Sequence, residues 1–276
     1  MICLSQRVYI QELLKQFNMK NCNSVVTSMI KDLTITDESD KNIVEDYLSL
    51  VESLQFFVIY IRSDISFAAD FLTCWNSKST LQCWKAAKQV LQYLKSFMNY
   101  DITFDGFNGY CLVAYSDADW AGDIGDCKST TGFLIMIAGG SIYWCSVKQT
   151  GVSLSTTEVE YIAASETAKH VLTICGILEE LDVTDKDFTF SLLVDNTGAI
   201  AVSDDEKVTC NTCHIDICYH HVWDLVEKGI IEILHIRINE MAADGFTKAL
   251  GEIKFNEFRD MISVTKENNF RSEEAK

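Results

Sequence analysis

The chain reads as an α/β protein built on a mixed sheet, and three observations predict it. Residues 109–262 alternate short apolar runs with turn signals, in the order three strands, helix, strand, helices, strand, helix. Gly139-Gly140-Ser141 between two such runs marks a hairpin. The long crossover lengths that follow require parallel pairing. The sheet is therefore expected to be antiparallel at first and parallel afterwards.

Each element can be justified in turn. In residues 1–108, Arg7 to Phe17 places Ile10, Leu13, Leu14 and Phe17 on one helical face. Tyr47 to Ile61 and Leu81 to Phe97 are two further helices, the second with a stripe of Trp84, Ala87, Val90, Leu91 and Leu94 that reads as a core face. Asn18 to Asn42 is polar and has no strong period. Asp105 to Gly109 is turn-rich and marks a boundary near residue 108. Beyond it, Gly109 to Tyr115 reads as a buried strand that stops at Ser116-Asp117-Ala118-Asp119-Trp120. Thr131 to Ala138 and Ile142 to Val147 are the next two strands.

Ser155 followed by Glu158 is a capping box, so a helix runs from Thr156 to about Leu181. Glu160 lies two residues past Glu158, about 200° round the helix, and faces another way. Glu158 closes the cap, which leaves Glu160 to be explained. Phe188 to Val194 is a strand ending at Asp195-Asn196. A short helix and a second from about Ile215 to Lys228 lead to the strand Ile230 to Ile236. Two last helices begin near Glu240 and span Lys254 to Ile262, and 263–276 is a polar tail.

Composition sets limits. Of 276 residues, 48% are hydrophobic and 23% charged, which is enough for a substantial core. No stretch resembles a signal peptide or a membrane span. Eleven scattered cysteines read as reduced thiols in a cytosolic or nuclear setting. The net charge of −17 is uneven: residues 1–108 hold 10 Lys+Arg against 12 Asp+Glu, and residues 109–262 hold 10 against 25. An acidic block of that size repels nucleic acid unless cations intervene.

In the expected topology the ends of neighbouring strands converge. Asp117 ends the first strand and Asp195 the fourth. Glu160 is in the first turns of the long helix, and Asp244 in the first turns after the fifth strand. Four acids from four elements can meet at one point, the donor set that Mg²⁺ prefers. Two such ions roughly 4 Å apart can activate water and stabilise the leaving oxygen of a phosphodiester. Taken singly, each acid also fits a solvated surface charge. Asp119 is an outer-shell candidate if the strand continues.

Five ordered motifs carry a family resemblance: Tyr115-Ser-Asp-Ala-Asp-Trp-Ala-Gly-Asp123, Lys128-Ser-Thr-Thr-Gly132, Leu154-Ser-Thr-Thr-Glu-Val-Glu-Tyr-Ile-Ala163, Val194-Asp-Asn196 and Ala243-Asp-Gly-Phe-Thr-Lys248. Together they closely resemble the ribonuclease H domain of copia-type LTR retrotransposon Pol polyproteins. Leu4-Ser-Gln6, Tyr9-Ile10, Leu13-Leu14, Arg62 to Phe67 and Ala86 to Lys95 are similar to the end of that family's reverse transcriptase. The resemblance implies a ribonuclease H-like mixed five-stranded sheet with flanking helices over 109–262, behind a mostly helical reverse-transcriptase remnant over 1–108. It implies a catalytic, two-metal site at Asp117, Glu160, Asp195 and Asp244, loaded with Mg²⁺ or its substitute Mn²⁺. The substrate implied is the RNA strand of an RNA–DNA hybrid, the partner the rest of the polyprotein, and the place the cytoplasm, nucleus or a virus-like particle. The family's Tyr-Val-Asp-Asp polymerase signature is absent from this chain, so no DNA synthesis is expected.

The chain departs from the family pattern at prolines and arginines. Arg62-Ser63-Asp64-Ile65 stands where Arg-Pro-Asp-Ile is usual, and Thr247-Lys248-Ala249-Leu250 where Thr-Lys-Pro-Leu is. Asp126-Cys127-Lys128-Ser129 and Asn211-Thr212-Cys213-His214 each lack a usual arginine, and Cys218 replaces another. There is no proline, and there are five arginines. Arg→Cys and Pro→Ser are products of C-to-T transitions, so the alternative reading is a decaying or domesticated copy without catalysis. Lost cations lower hybrid affinity steeply. Cys210, Cys213 and His214, with Cys218, His220 and His221 nearby, invite a zinc reading, but a structural site needs four convergent ligands. His235 reads as a packed strand residue. Trp120, Trp144 and Trp223 read as core, with stacking on nucleic acid as the alternative.

Overall fold

The computed structural model describes residues 1–31, 33, 35, 44–106, 111–120, 122, 128–153, 155–183, 189–196 and 213–266. They form two compact units, Met1–Phe104 with Ala249–Lys276, and Asp105–Lys248.

The first unit opens with a short strand β1 (Ile2–Leu4) and helix α1 (Arg7–Gln16), whose Ile10, Leu13 and Leu14 are buried as their spacing requires. Helices α2 (Val44–Tyr60), α3 (Ser66–Thr73) and α4 (Leu81–Ser96) follow, then strand β2 (Tyr100–Phe104). Thr80 caps α4, its hydroxyl accepting from the Cys83 amide. Between α2 and α3, Arg62 is fully buried and donates from Nε and an Nη to the two oxygens of Asp64 at 2.8 and 2.6 Å. The Tyr93 hydroxyl donates to the same carboxylate. The bidentate fork satisfies a charge that would otherwise cost several kcal/mol to bury.

The second unit carries the five-stranded sheet. Strands β3 (Leu112–Asp119), β4 (Thr130–Ile137) and β5 (Gly140–Lys148) pair antiparallel. Helix α5 (Thr156–Glu180) leads to β6 (Phe190–Val194), and helix α6 (Cys213–Glu227) to β7 (Ile231–His235). β6 pairs parallel with β3, and β7 parallel with β6, giving the order β5-β4-β3-β6-β7. This is the mixed ribonuclease H-like α/β sheet expected from the sequence. Leu112, Ala114, Phe133, Ile135, Leu192 and Val194 bury one face beneath Ala164, Ala168 and Val171 of α5. The hairpin turn falls on Ala138-Gly139, both at positive φ, one residue earlier than expected. A two-residue turn of this kind matches the twist of the strands it joins. A short helix α7 (Asp244–Thr247) ends the unit.

The last described segment belongs to the first unit. Helix α8 (Glu252–Met261) buries Phe255 and Phe258, and Phe255 meets Tyr93 edge to face at 5.4 Å between ring centres. Strand β8 (Val264–Lys266) pairs antiparallel with β2. The sequence range 109–262 for the second domain thus differs from the observed unit at its C-terminal end. Val264–Lys266, polar tail by sequence alone, is a strand through its pairing with Tyr100–Ile102 of β2. Strand β3 also runs further than expected, through Asp117 to Asp119, which pairs with Thr130. The short helix expected between Asn196 and Ile215 and the last residues of the polar tail, 267–276, lie outside the described residues. No described helix is long and apolar enough to cross a membrane.

Candidate metal centre

Three elements of the second unit converge on one point. Asp117 sits in β3 two residues beyond the last parallel pair, Tyr115 with Leu193. Asp195 follows β6 directly, where Val194 pairs with His235 of β7. Glu160 lies in the second turn of α5, whose start is fixed by Ser155, its hydroxyl accepting from the Glu158 amide at 3.2 Å. Gln149 fixes the same turn from the sheet side. Its amide nitrogen donates to Thr131 Oγ1 at 2.9 Å and to the Val159 carbonyl at 3.2 Å. Ala118, Val159 and Ala163 pack together, so small side chains let the helix close on β3.

The result is a group of carboxylate oxygens from Asp117, Glu160 and Asp195, all within 4.8 Å of one another. It is the only such metal-binding arrangement among the described residues. Asp244 stands beside this group and outside it, its buried Oδ1 2.9 Å from the Lys248 ammonium in an ion pair without hydrogen-bond geometry. Lys248 also lies 3.9 Å from Asp117 Oδ2. Thr247 Oγ1 donates to that same Asp117 oxygen at 2.6 Å.

Electrostatics show a shortage of positive charge. Burial pushes Glu160 up to about 9, with Asp117 and Asp195 adding to the rise and the Ala118 amide and Lys248 opposing it. Burial raises Asp117 to about 6, against the pull of Lys248 and the Thr247 hydroxyl. Asp195 and Asp119 are raised as well, in each case first by burial. Glu160 is 7% exposed, and its Oε2 is buried without a hydrogen-bond partner. An orphaned carboxylate oxygen among three clustered acids is the donor set of a hard divalent cation, so the residues fit one. The pKa pattern agrees, since like charges held together in a low-dielectric site drive protonation unless a cation is present.

Several site features were missed in the sequence. Thr247 and Lys248 lie three and four residues past Asp244, Thr247 as the last helical residue and Lys248 in extended backbone just after it, and that spacing is the available signal. Gln149 had no signal of its own. Gly132, opposite Asp117 in the β3–β4 ladder, must be glycine: a Cβ there would lie 2.6 Å from Thr247 Cγ2 and 2.8 Å from Phe246 Cβ. Two expectations need correction. His235 is exposed, at the C-terminal end of β7. Trp120 is 49% exposed at the end of β3, tethered by its indole N–H to the Ser153 carbonyl at 3.3 Å. Trp144 and Trp223 are half-buried. Of the zinc candidates only the side chains of His220 and His221 fall among the described residues.

No family model matches the chain. It is 34% identical over 269 residues to the retrovirus-related Pol polyprotein from transposon TNT 1-94 of Nicotiana tabacum, covering 95% of this chain and 20% of that protein. It is 33% identical over 265 residues to the corresponding polyprotein from transposon RE2 of Arabidopsis thaliana, covering 95% and 18%. The chain thus spans about one fifth of the length of these relatives. Among solved structures it is similar to LC11-RNase H1, isolated from compost, at 14% identity and a TM-score of 0.39, covering 50% of this chain and 93% of that one. The chain is thus similar over 95% of its length to one segment of retrovirus-related Pol polyproteins from plant transposons, and its second unit carries the mixed five-stranded α/β sheet of that segment.

Proposed function

We propose that the second unit hydrolyses the RNA strand of RNA–DNA hybrids in a divalent-ion-dependent reaction, as the ribonuclease H of a retrotransposon Pol polyprotein. The observation that carries this reading is the set of three carboxylates from β3, α5 and the end of β6 within 4.8 Å, two of them buried and Asp195 half-buried, with Glu160 Oε2 left unpaired. Asp117, Glu160 and Asp195 would hold the ion, Mg²⁺ or Mn²⁺. When bound, it supplies a lowered pKa for attacking water and charge stabilisation for the phosphodiester. The chain's own residues do the rest. Thr247 orients Asp117 through the hydrogen bond to Oδ2. Gln149 and Ser155 set the helix start that presents Glu160. The exposed Trp120 and His235 flank the carboxylates at the solvent-facing end of the sheet, where a nucleic acid would approach. Residues 1–104, by their likeness to the reverse-transcriptase end, act as the structural remnant of that enzyme and carry no polymerase chemistry.

A second reading rests on charge. Residues 105–248 hold 8 Lys+Arg against 23 Asp+Glu, and Arg237 is the one arginine. The five arginines of the whole chain include Arg62 and Arg259, both buried in the first unit. A hybrid-binding face this poor in cations favours weak binding, or a fold kept without catalysis. Incubation with a hybrid labelled on its RNA strand, with and without Mg²⁺, separates the two: ion-dependent cleavage supports the nuclease, and an intact strand at all ion concentrations supports the silent fold.

A further inference from the structure

The first unit is not continuous in sequence: residues 1–104 are completed by a segment that follows the second unit. In its sheet β2 is the central strand of the order β1-β2-β8, and β1 is only three residues long. A two-stranded ribbon is marginal by itself, so β2 needs β8. Next to that ladder the Thr103 amide donates to the Ser263 carbonyl at 3.0 Å, and the hydroxyls of Thr103 and Thr265 lie 3.3 Å apart. Helix α8 adds the apolar contacts. Phe258, Ile262 and Val264 are fully buried, and Phe255 nearly so. The Arg259 guanidinium lies over the rings of Phe97 and Tyr100, 4.1 and 4.6 Å from their centres, and its Nη2 donates to Asn256 Oδ1 at 2.9 Å. Phe255 packs edge to face on Tyr93, whose hydroxyl donates to Asp64, the carboxylate that also receives Arg62.

We propose that Glu252–Lys266 is a strap on which the folding of residues 1–104 depends, and that it holds them as one body even when the backbone between them is cut. The buried Arg62–Asp64 pair makes the dependence steep. With Phe255 in place, Tyr93 is covered and completes the hydrogen bonding of Asp64. Without it, water reaches Tyr93, and β2 loses the strand along one edge at the same time. Loss of the strap therefore opens α4 and β2 together, as one cooperative unit. The second unit keeps its own core, from Leu112 on β3 to Ile231 on β7, and no residue of that core comes from the strap. A single cut between the units therefore leaves the second unit attached to the first through the strap.

The test uses the full chain with a protease recognition sequence inserted after Gly106, where an added Cβ would meet nothing within 4 Å. After cleavage, size-exclusion chromatography in native buffer should show both fragments in one particle, and denaturant should separate them. The same cut in a Phe258→Ala, Arg259→Ala double variant should release the fragment 1–106. A second measurement needs neither a cut nor a fully folded first unit. In the intact chain, Phe255→Ala should speed amide exchange in α4 and β2 by about a hundredfold or more, the scale of truncating a core phenylalanine. Exchange in β3, β4 and α5 should stay as in wild type. Fragments of the cut wild type that part in native buffer would overturn the proposal. So would a double variant whose fragments stay together, or exchange that rises in β3, β4 and α5 as much as in α4 and β2.

Discussion

Thr247 and Asp117, 130 residues apart in sequence, are joined by a 2.6 Å hydrogen bond from Oγ1 to Oδ2, and this bond sets the orientation of a candidate metal ligand. The hydroxyl favours the charged carboxylate, as the direction of its effect on Asp117 shows. Replacement Thr247→Val keeps the shape and removes the donor. It should cost about 1–3 kcal/mol of stability, the range for stranding a buried polar partner. It should also raise the Asp117 pKa further above about 6. Urea unfolding and NMR titration of the carboxyl carbon measure the two effects separately, and an unmoved Asp117 titration would show that the bond does not bias its charge.

The bond depends on close approach of α7 to the sheet. At Gly132 a Cβ would fall 2.6 Å from Thr247 Cγ2, 2.8 Å from Phe246 Cβ and 3.1 Å from the Ala243 carbonyl. Backbone and buried side chain both crowd the position, so Gly132→Ala must push α7 away. The expected cost is about 1–3 kcal/mol, as for overpacked cores, together with loss of the Thr247–Asp117 bond. A melting temperature equal to wild type would mean that α7 yields freely and does not brace Asp117.

Glu160 and Asp117 give the ion-free protein a definite pH dependence. Both have folded pKa values raised above their unfolded ones, to about 9 and about 6, first by burial. The folded state thus binds more protons than the unfolded state between roughly pH 4 and pH 9. Their contribution to stability is fully present below the unfolded pKa values and is lost as pH rises through the folded ones. Denaturation in EDTA should therefore show the second unit weakening from pH 5 to pH 9, and Glu160→Gln should flatten the upper part of that decline. Added Mn²⁺ should also flatten it, with protons released on binding. Stability that climbs over the same range would contradict the raised values.

What the sequence made legible, and what it did not, follows from where each signal resides. The strands β3 to β5 and helix α5 announce themselves locally, because alternation, a positive-φ turn and a serine cap act within a few residues. Asp117, Glu160 and Asp195 were legible as candidates because each ends or begins such an element. β1, β2 and β8 were not: three to five residues long, they owe their conformation to partners about a hundred or more residues away, as in the Ile102–Val264 pair. Lys248 carries no local signal of a role, since its meaning lies in an ion pair with Asp244 and in proximity to Asp117, which only the fold supplies. Trp120 and His235 were misplaced for a related reason. Apolar character and strand position predict burial on average, but both residues stand at the end of the sheet that the site leaves open.

The most direct measurement of the central claim is cleavage of an RNA–DNA hybrid by the purified full chain, read on both labelled strands in Mg²⁺, in Mn²⁺ and in EDTA. The wild type should cut the RNA strand alone and only with the divalent ion. Asp117→Asn and Glu160→Gln should each abolish cutting while leaving the circular dichroism spectrum unchanged. Screening by moderate salt should raise the rate, since the acidic surface repels the hybrid most at low ionic strength. An RNA strand left whole by well-folded wild type in moderate salt and saturating Mn²⁺ would contradict the account, as would cutting that persists in Asp117→Asn.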